Sequence, residues 1–244
     1  MPTPPNRTAT ALHVAGGAAQ PLTALPALTA LPTPPALPTR PTVDEWGRDA
    51  RFIRSLAPLT HLRWDVSIGG AQHLPHHGAL LIVNTRRFAL TPVSTALALS
   101  EALDRPVRFV GRPDTVPFGP LLSRVGGLLA QPAEIAGALR AGELVVLGAA
   151  GTGNPRHAGA IDHTLVAAAI AEHVPVHVGA TLSSLVGRQA RVEIVGALRA
   201  GRRRRGPLAE VELAEQAQRR LQELLDELGG TRTGVPGLGW LGEG

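Results

Sequence analysis

The stretch ALLIVNTRRFALTPVSTALALSEAL, residues 79–103, is where the fold becomes readable. Ala79 to Val83 form an apolar run without polar alternation, the pattern of a strand buried on both faces. The run stops at Asn84 and meets Arg86 and Arg87. Thr91-Pro92 then opens a helical segment, with Thr91 placed at the cap and Pro92 at the first helical position. In open α/β sheets, ligands and chemistry collect in loops that follow strand ends. This loop contains no acid and no base, and its strongest nucleophile is Thr85.

Working outward, the alternation of strand and helix recurs. Segments 65–69 and 79–83 read as strands joined by the turn GAQHLPHHG. After the helix at 91–103 come a strand at 107–111, a short glycine-closed helix at 119–127, and a helix at 132–142 bounded by Pro and Gly. Strands at 143–148, 174–180 and 190–195 follow, with a helix at 160–173 after the first of them. This order predicts an α/β domain with a mainly parallel sheet flanked by helices, and places the 80–83 strand near its centre. Upstream, Trp46, Ile53, Leu56 and Leu59 fall at near-helical spacing, with Asp44 as the expected N-cap. Downstream, 207–228 carries Val211, Ala214, Ala217, Leu221, Leu224 and Leu228 on one stripe, which predicts a helix laid on the sheet.

The expected domain is therefore 43–228. Residues 1–42, Pro-, Ala- and Thr-rich with a near-repeating ALP/TALP unit, read as an extended, disordered tail. The Gly-rich segment 229–244 reads as a second tail. A chain of 244 residues, 44% hydrophobic, supports one well-buried core. Cysteine is absent, which excludes disulfides and thiolate metal sites. The net charge is +5, and all 24 basic residues are arginine. That balance suits anionic partners in general (acidic lipid, phosphorylated metabolite or nucleic acid), while an Arg-only, Ala/Gly/Pro-rich chain reads first as genomic base composition. No nucleic-acid partner is expected. No apolar run approaches the roughly 20 residues that span a bilayer. The N-terminus also lacks the basic and apolar regions of a secretory signal. The expectation is a cytoplasmic protein, peripheral at the inner face of the membrane.

Isolated candidates for chemistry are weak. Gly148, Gly151 and Gly153 occur in G-x-x-G-x-G order with no Lys-Ser/Thr after them, so the loop reads as a flexible turn and no cofactor is expected. His73, His76 and His77 lie in a turn with no carboxylate nearby in sequence, and no metal is expected. His173 and His177 are separated by a helix-breaking Val-Pro-Val. Asp162 and His163 begin a helix, where Asp is a natural cap. The arginine run 202–205 reads as an exposed linker that can also hold an anionic membrane.

The order of segments is more informative. LRWDVSIGGAQHLPHHGALLIVN (62–84), RPVRFVGRPDTVPFGPLLSRVGGLLAQP (105–132), LRAGELVVLGAAGTG (139–153) and VPVHVGAT (174–181) resemble, in sequence order, four blocks of the glycerolipid acyltransferase superfamily, which includes the lysophosphatidate acyltransferases. The resemblance covers residues 60–228 and implies that family's fold. In the family, His-x4-Asp follows the Asn of the first block: the histidine removes the acceptor hydroxyl's proton and the aspartate orients it. Here those positions hold Thr85 and Leu90. The family's Glu-Gly-Thr-Arg, which holds the acceptor phosphate, becomes Ala150-Gly151-Thr152-Gly153. The arginine that trails the second block is replaced near Gln131 and Pro132, and the fourth block's second proline is Val178.

The resemblance thus implies an acyltransferase homologue without retained catalytic residues, which binds an anionic phospholipid, an acyl chain, an acyl-CoA or acyl-carrier protein, or a partner protein. Its candidate ligand-binding residues are Asn84, Arg86, Arg87, Arg112, Arg124, Thr152 and Arg156. Two alternatives stay open. One is an active acyltransferase with a relocated base, His157 or His163; the other is an interaction platform that recruits partners through the Pro-rich tail.

Overall fold

An apolar strand with no polar alternation must be shielded on both faces, and the structure shields it. Ala79–Val83 forms β2, with every side chain buried. It pairs in parallel with β5 (Leu144–Gly148) on one side and with β6 (Val176–Ser183) on the other. In this computed structural model, residues 43–63, 65–85, 90–113, 118–152, 154, 156–183, 189–198 and 206–231 are described. The expected tail at 1–42, Arg86, Arg87 and the arginine run 202–205 lie outside them.

The remaining strands are β1 (Asp65–Gly69), β3 (Val107–Val110), β4 (Gly127–Leu128) and β7 (Gln189–Leu198), and the sheet order is β1-β7-β6-β2-β5-β3-β4. Only the β6–β7 pairing is antiparallel among the described pairs. β2 is the middle strand, as its composition predicts. Alternate residues face opposite sides of a strand. Leu80, Ile82, Val145, Leu147 and Val178 therefore join one core under α4 (Pro132–Arg140), α5 (His163–Ala171) and α6 (Pro207–Thr231). Leu81, Val83, Val107, Phe109 and Val146 face the other core with Ala96 and Leu99 of α2 (Thr91–Ala102). α3 (Phe118–Val125) leads into β4 and is closed by Gly126 at φ +103°, which glycine adopts without strain.

Several local expectations shift. The first helix, α1, runs over Ala50–Arg63, and its leading N–H groups on Arg51 and Phe52 donate to Asp49 Oδ1 at 2.9 and 3.2 Å. Asp49, not Asp44, is its cap. Asp44 instead accepts from the backbone N–H groups of Trp46 and Arg48 and pairs with Arg108 of β3 at 2.5 Å. Glu143 is the second carboxylate on Arg108, at 3.2 Å. The Arg108 side chain is completely buried, and a buried guanidinium requires such partners. Thr91 is the first helical residue of α2 rather than its cap; the cap position is Leu90, which supplies no side-chain bond. On α6 the buried seam is Leu213, Ala214, Ala217, Leu221, Leu224 and Leu225, whereas Val211 of the expected stripe is exposed. That helix continues to Thr231, past the expected end at 228.

Candidate functional site

The carboxyl ends of β2 and β5 lie side by side, and the loops that follow them meet there. Asn84, the first residue beyond β2, is almost fully buried. Its Nδ2 donates to the Thr181 carbonyl at 3.0 Å, and its Oδ1 accepts the Thr181 N–H at 2.6 Å. The amide thus imitates a peptide group and extends the β2–β6 ladder beyond Val83 and Gly179, the last paired residues. Asn84, a candidate ligand residue in the sequence, has both side-chain polar atoms engaged by β6.

Thr85 leans the other way, over β5. A Cβ at Gly148 would lie 2.5 Å from Thr85 Oγ1 and 2.8 Å from Pro92, so only glycine at the end of β5 leaves room for this threonine. The Thr85 hydroxyl is buried and makes no hydrogen bond among the described residues. Its carbonyl accepts the Thr152 N–H at 3.2 Å, which ties the β2 loop to the β5–α5 loop. Leu90 is 56% exposed at the start of α2. Ala150 is exposed, with its N–H donating to the Ala160 carbonyl at 2.7 Å. The positions where the family resemblance puts a base, its orienting acid and a phosphate-binding acid are thus held by a threonine, an exposed leucine and an exposed alanine.

The described residues of the β5–α5 loop are joined by several hydrogen bonds. Thr152 Oγ1 approaches the carbonyls of Asn154 and His157 at 2.6 and 3.2 Å, and the Arg156 N–H donates to Asn154 Oδ1 at 2.9 Å. Gly159 has no room for a Cβ against the Ala150 carbonyl. Gln222 of α6 receives the Ala158 N–H at 2.9 Å and donates to the Arg156 carbonyl at 3.0 Å. At the loop's end Asp162 caps α5 as expected, accepting from the Thr164 N–H and hydroxyl. Its hydrogen bond to the Thr164 hydroxyl holds its carboxyl below the usual range.

Three of the candidate ligand arginines, Arg112, Arg124 and Arg156, lie among the described residues. Arg112 pairs with Glu134 at 3.4 Å in the first turn of α4. Arg124 lies over the Phe52 ring, 5.9 Å from its centre, and its carbonyl accepts the Asp49 N–H. Arg156 is exposed in the β5–α5 loop, and Arg86 and Arg87 fall outside the described residues. His157 and His163 are both exposed, the first in that loop and the second at the start of α5. His73, His76 and His77 are exposed, as their turn predicts, and no group of three or more metal-ligating side chains forms among the described residues.

His177, set aside in the sequence with His173, is buried in β6 with Nδ1 3.3 Å from the Val195 carbonyl and Nε2 unpaired among the described residues. Burial, together with the proximity of His73, pushes its pKa below the usual 6.5. Sequence reasoning missed Gln222; a lone glutamine on a helix carries no sequence signal.

No protein-family model matches the sequence, and no curated protein matches it. The folded chain is similar to a solved structure, the 1-acyl-sn-glycerophosphate (LPA) acyltransferase PlsC from Thermotoga maritima. The TM-score is 0.55 at 13% identity, covering 74% of this chain and 79% of that one. The chain therefore has a glycerolipid acyltransferase-like fold, as the order of its four segments implies. No described helix is long and apolar enough to cross a membrane.

Proposed function

We propose that this chain is a non-catalytic protein of acyltransferase-like fold that binds an anionic amphiphile at the carboxyl ends of β2 and β5. The observation that carries the reading is Thr85. It stands where the family resemblance puts the general base, packed over Gly148, with a hydroxyl that no described side chain activates. A threonine hydroxyl cannot accept a proton at neutral pH, and loss of a general base alone costs about 10²- to 10⁴-fold in rate.

The ligand class is supported by what surrounds this end of the sheet. α2 begins there with no side-chain cap bond from Leu90, and its positive dipole end favours an anion. Arg156 is exposed on the adjoining loop, and Arg86 and Arg87 follow β2 directly in sequence. Leu90 and Phe118, 56% and 62% exposed, begin the helices that follow β2 and β3. Apolar residues at helix starts beside cationic loops suit a surface that meets lipid from the water side.

Co-sedimentation with vesicles tests the reading. Binding should be stronger to phosphatidylglycerol/phosphatidylcholine vesicles than to phosphatidylcholine alone. It should weaken with salt, since exposed charges are screened over a Debye length of about 8 Å at physiological ionic strength. Replacing Arg86, Arg87 and Arg156 by Ala should reduce it. Binding that ignores lipid charge, or that depends wholly on Arg202 to Arg205, contradicts it.

A second reading keeps the chemistry. The Thr152 hydroxyl contacts the His157 carbonyl while the Thr152 N–H donates to the Thr85 carbonyl, so the backbone of His157 lies close to the vacated position. A base relocated to His157, or to His163 at the start of α5, would make the chain an active acyltransferase.

A further inference from the structure

α6 is held to the sheet by its apolar seam, and Gln222 stands just beside that seam, next to the buried Leu221. A glutamine there ordinarily extends into water. This one is fully engaged: Oε1 accepts from Ala158 N–H at 2.9 Å, while Nε2 donates to the Arg156 carbonyl at 3.0 Å and to Asp226 Oδ1 at 2.9 Å. An ionised carboxylate only accepts, so Asp226, one turn further along α6, selects the amide orientation in which nitrogen and oxygen both match the loop backbone. The grip then passes inward. His157, between the two gripped residues, gives its carbonyl to Thr152 Oγ1, and the Thr152 N–H donates to the Thr85 carbonyl. A continuous set of hydrogen bonds runs from the C-terminal helix to the residue at the centre of the candidate site. The seam of α6 packs independently of these bonds, so the helix does not need them to stay in place.

We propose that Gln222 is a positioning residue, which fixes Thr152, Arg156 and His157 beside the end of β2 and makes ligand affinity at this site depend on α6. The proposal rests on the anionic-ligand reading above. It assigns a task to a residue outside the loops that sequence blocks would pick out.

The test uses the full chain as wild type, Gln222→Met, and the double variant Gln222→Glu with Asp226→Asn. Methionine keeps length and packing but loses every hydrogen bond. In the double variant the carboxylate introduced at position 222 can accept from Ala158 N–H and from the new amide at 226, but it offers nothing to the Arg156 carbonyl. Amide hydrogen exchange should accelerate about tenfold within 150–160 in Gln222→Met, with the protection of β2, β5 and α6 unchanged. The double variant should recover part of the protection at Ala158, a result that simple volume filling would not give. Binding to phosphatidylglycerol vesicles should fall several-fold in Gln222→Met and recover partly in the double variant. Unchanged loop exchange in Gln222→Met overturns the proposal, and so does faster exchange with wild-type vesicle binding. If the wild type itself does not sediment with any vesicle, the ligand reading fails instead, and Gln222 is judged on loop exchange alone.

Discussion

Asn84 gives the sharpest quantitative expectation. β2 turns away after Val83 while β6 continues to Ser183, which would leave the peptide groups of Thr181 without a partner from β2. The Asn84 amide fills that place with bonds of 3.0 and 2.6 Å. Asn84→Ala removes both. Each bond contributes about 1 kcal/mol net, and the Thr181 N–H and carbonyl left behind incur part of a desolvation penalty of about 1–3 kcal/mol apiece. The expected loss is about 2–4 kcal/mol, a large share of the 5–15 kcal/mol typical of a domain. With a urea slope near 2 kcal/mol per molar, the unfolding midpoint should fall by about 1–2 M at unchanged slope. Asn84→Asp should also destabilise, because one carboxylate oxygen must face the Thr181 carbonyl. Its deficit should shrink on acidification, when a protonated carboxyl can donate to that carbonyl. Equilibrium urea unfolding followed by circular dichroism measures both variants. A midpoint for Asn84→Ala within about 0.5 kcal/mol of wild type, the range of ordinary surface substitutions, would refute the ladder-extension argument.

Two further expectations concern buried charge. Arg108→Met strips Asp44 and Glu143 of their shared partner; because those side chains are 35% and 18% exposed and can rehydrate, the cost should be about 2–3 kcal/mol rather than the 3–5 of a fully buried pair. Adding Asp44→Asn should recover part of it in the same urea experiment, and a wild-type midpoint for Arg108→Met would count against the buried cluster. His177 makes stability pH-dependent: burial lowers its folded pKa, so the unfolded chain takes up the proton first as pH falls. Stability from this group is complete above the usual 6.5 and is lost as pH falls below it towards the folded pKa. Thermal melts between pH 7 and pH 5 should therefore decline less steeply in His177→Gln than in wild type, and parallel declines would remove His177 as the cause.

Local pattern carried most of the architecture. The unbroken apolar runs of β2 and β5 and the intervening helical segments are short-range signals, and the order of four blocks carried the fold class. What stayed illegible depends on long-range partners. Asp44 carries the composition of a cap, but Arg108 lies sixty-four positions away and draws it into a buried ion pair. Arg112 and Arg124 look like free cations in sequence; folding gives one to Glu134 and lays the other over Phe52. β4, over Gly127–Leu128, is too short for any periodicity to show. At the site, the residue types at 85, 90 and 150 were readable directly. The double engagement of Asn84 and the hold of Gln222 on the loop appear only once β6 and α6 are in place.

The proposal that this chain transfers no acyl group is tested most directly by incubating the purified full chain with labelled acyl-CoA, and separately with acyl-carrier protein, in the presence of lysophosphatidate. No phosphatidate above the protein-free blank is expected, because a threonine, a leucine and an alanine stand at 85, 90 and 150. Turnover that survives Thr85→Ala but disappears with His157→Ala or His163→Ala would contradict the claim and establish a relocated base.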